Sequence, residues 1–188
     1  YNVIKIIVVY RIGKNLVGIM GCLERILARR SIRKYKKMDI PDDVLMKILE
    51  AGRLAPSAKN VQPWHFIIVK DSELKKKLST GRWNRFIKDA PICIVGCGDT
   101  RSAPRWHIID VTIALQNMVL AAACMGIGSC WIGDFKEDEV KELLKIPEHF
   151  KVIALITFGY PDESPEPFGK RKLEEIASID KYGNAFSA

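Results

Sequence analysis

The sequence has few of the residues from which metal centres and hydrolytic sites are built. Its 188 residues include only three histidines, and none of the five cysteines forms a CxxC pair. Zinc sites need closely spaced Cys or His ligands, so we expect no metal site. No Ser/His/Asp or Cys/His arrangement stands out, and no carboxylates are paired as in a glycosidase. Hydrolysis therefore has little support.

Two nucleotide-binding fingerprints are also missing. Gly126 and Gly128 are followed by Trp131, where the dinucleotide fingerprint requires a third glycine. The phosphate loop GxxxxGK[ST] does not occur anywhere in the chain. Any nucleotide must therefore be held by a different set of residues.

Long apolar runs are missing from the N-terminal segment. Lys5, Arg11 and Lys14 interrupt it, so no stretch approaches the ~20 residues that a membrane helix needs. The small-residue cleavage pattern of a secretory signal is lacking. We treat residues 1–21 as an N-terminal extension of unclear role. For residues 1–20, an extra packed strand or helix and an arm that binds a partner or a membrane surface both stay open.

The positive charge of the chain is concentrated at one end. The net charge is +8, yet residues 1–37 hold ten Lys or Arg and one acidic residue, and the rest holds twenty basic and twenty-one acidic residues. A nucleic-acid surface would spread its charge over a face and interleave aromatics. We therefore expect a local phosphate or nucleotide pocket and no nucleic-acid partner. A non-enzymatic protein that binds an anionic surface is the alternative.

The five cysteines lie in apolar stretches of the sequence. We expect most of them to be buried small hydrophobes. Unpaired cysteines fit a reducing compartment, and the predicted location is the cytoplasm.

Apolar periodicity predicts helices and strands that alternate along one domain, residues 22–188. A chain of this length supports one core and is too short for two ordinary domains. The pattern favours an α+β or α/β fold with a mixed sheet. The predicted helices cover residues 16–30, 71–79, 108–125 and 136–145 and one that begins at Pro41, and the predicted strands cover residues 65–69, 91–98, 129–132 and 152–158.

Two segments near the N-terminal end stand out as candidate binding sites. Residues 29–35 read RRSIRKY, and residues 53–66 read RLAPSAKNVQPWHF between a helix and a strand. The second segment carries two prolines, which stiffen the loop. Further on come GIGSCWIG at residues 126–133 and a basic cluster before Leu173. In this order, over roughly residues 22–178, the segments resemble the nitroreductase family of FMN-dependent NAD(P)H oxidoreductases.

The resemblance implies a fold, an assembly and a set of cofactor contacts. It implies an α+β fold with a central mixed or antiparallel sheet flanked by helices, and an intertwined homodimer with FMN at the interface. Ala58 departs from the serine frequent in the family, and the proline that often precedes Leu-Glu-Glu is missing. The residues assigned to FMN by motif are Arg29, Arg30, Ser31, Arg33, Pro56, Ser57, Ala58, Asn60, Asn84, Ile132, Gly133, Lys170, Arg171 and Lys172.

The resemblance also implies a reaction. Hydride passes from NAD(P)H through flavin N5 to a nitroaromatic, a quinone or a similar small acceptor by a ping-pong mechanism. Such transfer depends on stacking geometry, so no catalytic side chain is assigned. His107 is either an acceptor-pocket residue or a solvent-facing histidine at a helix start. Reductive dehalogenation, oxygen-dependent flavin chemistry and a non-enzymatic flavin carrier are alternatives, although the short span from Gly98 to Ile108 leaves little room for a substrate lid.

Overall fold

An antiparallel sheet forms the centre of the fold. The structure is a computed structural model and describes residues 16–186. In the described part of the chain the sheet has the order β1-β2-β4-β3, and every neighbouring pair is antiparallel. We expected either a mixed or an antiparallel sheet, and the antiparallel arrangement is confirmed. The strands are β1 (Trp64–Val69), β2 (Ile92–Asp99), β3 (Gly128–Ile132) and β4 (Phe150–Gly159).

Helices cover both faces of this sheet, and the predicted α+β class is confirmed. Short 3-10 turns span residues 58–60, 85–89 and 173–175. Most of the predicted N-terminal extension lies outside the described residues, and its boundary at residue 21 stays a prediction. The helices are α1 (Leu16–Leu27), α2 (Asp42–Arg53), α3 (Ser72–Leu78), α4 (His107–Cys124) and α5 (Glu137–Leu144).

Strand β2 is buried on both faces, as its continuous apolar run predicts. On one face Ile94 packs in a core cluster with residues of α2 and α4. On the other face Val95 packs with residues of α3 and α5. Gly96 is required by this packing, because an added Cβ would lie 2.6 Å from a methyl carbon of Leu115 in α4. The core therefore has two layers that share one sheet.

Helix α4 is the most apolar helix of the fold and lies inside it. It is long and apolar enough to cross a membrane, with a mean hydropathy of 1.5 over 18 residues. Its residues Val111, Leu115 and Met118 are nevertheless fully buried against the sheet and α2. We therefore regard α4 as the core helix, in agreement with its all-round apolar pattern.

The cysteines divide into two groups. Cys93, Cys97 and Cys130 are buried and free, as expected of small hydrophobes. Cys22 of α1 and Cys124 at the end of α4 are instead joined in a disulfide, with Cα atoms 4.6 Å apart. Local sequence did not indicate this pair, because 102 residues separate its members. The disulfide ties α1 to the core helix.

We expect thiol counting to separate these two groups. Burial raises the pKa of Cys93 to about 12, that of Cys97 to about 12, and also that of Cys130. These thiols are therefore protonated at pH 8 and resist an aromatic disulfide reagent, which reacts with thiolate. Without reductant, the native protein is expected to show no reactive thiols and the denatured protein three. Five thiols in the unreduced denatured protein would disprove the disulfide, and reactive native thiols would disprove the burial.

Candidate functional site

Residues 31–35 are fastened to the open edge of the sheet. Ser31 forms a parallel bridge with Ser129 of β3, and the Ile32 N–H donates to the Ser129 carbonyl at 3.0 Å. The Tyr35 hydroxyl contacts the Ile32 carbonyl at 2.5 Å and Thr157 Oγ1 at 2.7 Å. A carbonyl only accepts, so Tyr35 donates to Ile32 and accepts from Thr157. Burial raises the pKa of Tyr35, so the phenol stays a neutral donor.

Side chains of the same segment gather around the Cys130 thiol in β3. Burial raises the pKa of Cys130, whereas the charge of Arg33, a hydrogen bond with the Ser31 side chain and the charge of Arg29 oppose that rise. Arg29 also carries a buried Nη1 with no hydrogen-bond partner among the described residues. Arg29, Ser31 and Arg33 thus all lie close enough to influence one thiol, and their contact with a cofactor stays a prediction. A buried guanidinium donor without a partner suits an anionic ligand.

Arg30 and Arg33 are held in different ways. The Arg30 guanidinium donates to the carbonyls of Ala28 and Arg29, both at 3.0 Å, and so turns back on the end of α1. A cation is favourable at the negative end of a helix. The Arg33 guanidinium lies 5.9 Å from the centre of the Phe86 ring. Of the two, Arg33 is the one directed away from the local backbone.

The loop Pro56–Asn60 continues α2 and is exposed in part. Its 3-10 turn contains Lys59 at φ 54° and Asn60 at φ 56°, followed by Gln62 at φ 54°. The Ser57 hydroxyl accepts from the Gln62 N–H at 2.9 Å, and the Ser57 carbonyl accepts from the Asn60 N–H at 3.0 Å. The Gln62 side chain donates to the Asn60 carbonyl at 3.2 Å. Gln62 therefore buttresses the loop.

Asn84 is joined to the turn that follows β3. Its amide donates to the carbonyl of Asp134 at 2.7 Å and to that of Leu78 at 3.1 Å. Asn84 is 1% exposed, and its Oδ1 is buried without a hydrogen-bond partner among the described residues. An added Cβ on the nearby Gly133 would meet no atom within 4 Å. The predicted residues Asn84, Ile132 and Gly133 thus lie together, beside an open backbone.

The second basic cluster lies apart from the first. Lys170, Arg171 and Lys172 are all exposed. Arg171 pairs with Glu175 on the same turn, at 3.3 Å between Nε and Oε2. In the described part of the chain, no hydrogen bond or ion pair joins this cluster to residues 29–33. Its contact with the cofactor stays a prediction.

His107 is the first residue of α4 and is buried. It is 7% exposed, and its Nδ1 lies 2.9 Å from the Ala103 carbonyl. Because a carbonyl only accepts, Nδ1 carries the proton in this contact. The side chain packs over Gly98 of β2, where an added Cβ would lie 3.0 Å from His107 Cβ. The solvent-facing alternative is therefore wrong, and the acceptor-pocket role stays a prediction.

Sequence reasoning assigned no role to the carboxylates that fasten these segments. Each accepts backbone N–H groups, which is an interaction between residues far apart in sequence. A single Asp or Glu in a loop or in the first turn of a helix is more often solvated, so no local signal marked them. They are Asp110, which accepts from Ala58, Asp134, which accepts from Trp83, and Glu163, which accepts from Arg33 and Lys34.

The donor set fits a mononucleotide. The Arg29 Nη1 has no partner within residues 16–186, lies near Ser31 and Arg33, and suits a phosphate group. The open backbone at Gly133 allows a flat ring to approach closely. We find no group of three or more His, Cys, Asp or Glu that would hold a metal among residues 16–186.

Comparison with known proteins identifies the family of the chain. The nitroreductase family model matches residues 26–81 and 78–160. A protein of Archaeoglobus fulgidus, named as a candidate NADH dehydrogenase/NAD(P)H nitroreductase, is 41% identical over 154 residues, which cover 77% of this chain and 88% of that protein. The NADPH-flavin oxidoreductase of Vibrio harveyi is 32% identical over 197 residues, covering 88% and 82%.

Solved structures agree as well. An FMN-dependent nitroreductase from Clostridium difficile R20291 superposes with a TM-score of 0.78 at 33% identity. The match covers 85% of this chain and 99% of that one. The chain belongs to the nitroreductase family.

We expect the Asn84 side chain to be essential for joining the end of α3, at Leu78, to the turn after β3, at Asp134. Replacing Asn84 with Ala leaves the buried Leu78 carbonyl and the partly buried Asp134 carbonyl without their donor. The free energy of unfolding, measured by urea titration, should fall by about 1–3 kcal/mol. Replacing the neighbouring exposed Arg85 with Ala is the control and should change it by less than about 0.5 kcal/mol. Equal stability of the two variants would contradict this role.

Proposed function

We propose that this protein is an FMN-dependent NAD(P)H oxidoreductase that reduces a nitroaromatic, a quinone or a similar small acceptor. The Arg29 Nη1 carries the proposal, because it is buried, has no hydrogen-bond partner among residues 16–186 and suits an anion such as the FMN phosphate. The likeness to an NADPH-flavin oxidoreductase and to an FMN-dependent nitroreductase supports it.

The residues of this chain would hold FMN from three sides. Arg29, Ser31 and Arg33 lie together and would bind the phosphate, the ribityl chain and the pyrimidine edge. Arg30 belongs to the same set by motif. The backbone of Ile132 and Gly133, with Asn84 behind it, would face the ring. The exposed cluster Lys170, Arg171 and Lys172 would complete the phosphate site after the tail adjusts.

The loop of residues 56–60 would line the flavin of a second subunit. Its members Pro56, Ser57, Ala58 and Asn60 lie together in a rigid turn, in part exposed. The start of α4 exposes about half of Trp106, Ile108 and Ile109. Neighbouring exposed apolar side chains of this kind are compatible with an interface. We therefore propose a homodimer with FMN at the interface.

The cofactor carries the redox chemistry, and the chain binds and orients it. Bound FMN would supply hydride transfer at N5 between NAD(P)H and the acceptor. A guanidinium at the pyrimidine edge would stabilise negative charge on the ring, and Arg33 and Arg29 are the candidates. Donor and acceptor would use the same site in turn, which makes the mechanism ping-pong.

The connection between β2 and α4 favours simple acceptor reduction over dehalogenation. Residues 100–106 form turns only, with no added helix or strand. A substrate lid would need additional chain at this point.

The cytoplasmic location stays part of the proposal. The Cys22–Cys124 disulfide is evidence against this location, since disulfides rarely persist in a reducing compartment.

The proposal predicts that the first basic cluster determines FMN affinity. Replacing Arg29 or Arg33 with Ala removes a charge-assisted contact, and such contacts contribute about 1.5–3 kcal/mol. The dissociation constant of FMN, measured by flavin fluorescence quenching, should therefore rise about tenfold to a hundredfold. Circular dichroism should show an unchanged fold.

The matched control is Arg101→Ala, which removes an exposed arginine in the turn after β2. It should leave the FMN dissociation constant unchanged. If the Arg29 and Arg33 variants retain wild-type affinity, the cluster does not bind FMN.

A further inference from the structure

We propose that Asp110 is a positioning residue that presets the loop of residues 56–60 for FMN, an inference that rests on the proposed function of this loop. Asp110 lies in the first turn of α4 and is 2% exposed. Its Oδ1 accepts a hydrogen bond from the Ala58 N–H at 3.1 Å. The carboxylate thus joins the core helix to the middle of the loop, across 52 residues of sequence.

Burial of this carboxylate is costly for the fold. Oδ2 is buried and has no hydrogen-bond partner among the described residues. A buried charge with half of its acceptor sites unmet stabilises a protein poorly. We therefore interpret Asp110 as a residue that fixes the conformation of the loop of residues 56–60 and not as one that stabilises the fold.

The loop that Asp110 contacts has a backbone conformation that must be held in place by its surroundings. Lys59, Asn60 and Gln62 all have positive φ angles, between 54° and 56°, which are unfavourable for residues other than glycine. Backbone in such conformations persists only where its surroundings over-determine it, and it clusters at ligand sites.

The anchors of this loop are of two kinds. Ser57 binds Asn60 and Gln62, and both bonds lie within the loop itself. The Pro63 carbonyl accepts from the Asp99 N–H at 2.8 Å and fixes the loop's far end. Asp110 fastens its centre to α4. Without that bond the centre is free to relax toward ordinary φ angles, and only a fraction of molecules would have the binding conformation. FMN affinity falls by that fraction.

Two substitutions at Asp110 separate the hydrogen bond from other effects. Asp110→Ala removes the acceptor, whereas Asp110→Asn keeps an acceptor oxygen and the shape. In FMN-free protein, amide hydrogen exchange should show lost protection at Ala58 and Asn60 in Asp110→Ala and retained protection in Asp110→Asn. The FMN dissociation constant should rise about tenfold in the first variant and stay within about threefold of wild type in the second.

Asp71→Ala is the matched control. Asp71 also accepts a backbone N–H, from Leu74 at 2.8 Å, but it does so at the start of α3. Its loss should lower stability, as the loss of any helix cap does. Protection at Ala58 and FMN affinity should both be unchanged in this control. The comparison thus separates loop positioning from general destabilisation.

Ala58→Pro tests the same bond from the donor side and covers the case in which Asp110→Ala does not fold. Proline is tolerated at the first position of a helical turn, which Ala58 occupies. The preceding Ser57 is extended, at φ −140° and ψ 156°, as proline requires. This variant should raise the FMN dissociation constant as Asp110→Ala does. The double variant should add nothing, since both remove one interaction.

Failure of the Asp110 anchor and failure of FMN binding give different experimental results. If wild-type protein does not bind FMN, the proposed function fails, and the exchange measurement still tests the Asp110 anchor. Wild-type protection at Ala58 and wild-type FMN affinity in Asp110→Ala would overturn the proposal. If Asp110→Asn lost both the amide protection at Ala58 and the FMN affinity, the proposal would also be overturned. The charge of Asp110, and not its hydrogen bond to Ala58, would then hold the loop.

Discussion

The hydrogen bonds that fasten residues 31–35 beside β3 are the constraint on which the site depends. Tyr35 donates to the Ile32 carbonyl and accepts from Thr157 of β4, while the Ile32 N–H binds Ser129 of β3. A flexible basic segment would hold its arginines in solvent. Because the segment is fastened to the sheet edge, Arg29 stays near the buried Cys130 thiol. One nitrogen of its guanidinium, Nη1, is buried and has no partner among the described residues. The fold thus places this basic segment where the proposed FMN phosphate would bind.

Helix α4 connects this constraint to the rest of the molecule. Its buried face fills the core beneath β2 and β4, and its first turn carries His107 and Asp110. Both side chains are buried, and both have an unpartnered polar atom among the described residues. Asp110 reaches the loop of residues 56–60 through Ala58. One helix therefore organises both the core and a loop at the proposed interface.

The sequence predicts the elements well and the contacts between them poorly. Each strand and helix follows from apolar periodicity within its own residues, which is a local property. The Arg29–Arg33 cluster is likewise local, and the structure brings its predicted members Arg29, Ser31 and Arg33 together. The roles of Tyr35 and Asp110 escaped prediction, because their partners lie 122 and 52 residues away. The Cys22–Cys124 disulfide escaped it for the same reason.

The C-terminal basic cluster shows a second limit of sequence reasoning. A motif can assign Lys170, Arg171 and Lys172 to a phosphate, yet the single chain leaves them exposed in an irregular tail. Exposed apolar residues such as Phe168 and Tyr182 flank them. The contacts of this cluster lie within the tail itself, such as Arg171 with Glu175, so the single chain does not test the phosphate assignment.

FMN binding, with electron transfer from NAD(P)H through the flavin, is the activity we propose for this chain. The visible absorption spectrum of the purified protein, recorded without oxygen before and after addition of NADH or NADPH, reports on both. We expect flavin bands that bleach without any acceptor present, and FMN as the compound released on denaturation. A colourless protein that takes up no added FMN, or bands that neither nucleotide changes, would contradict this proposal.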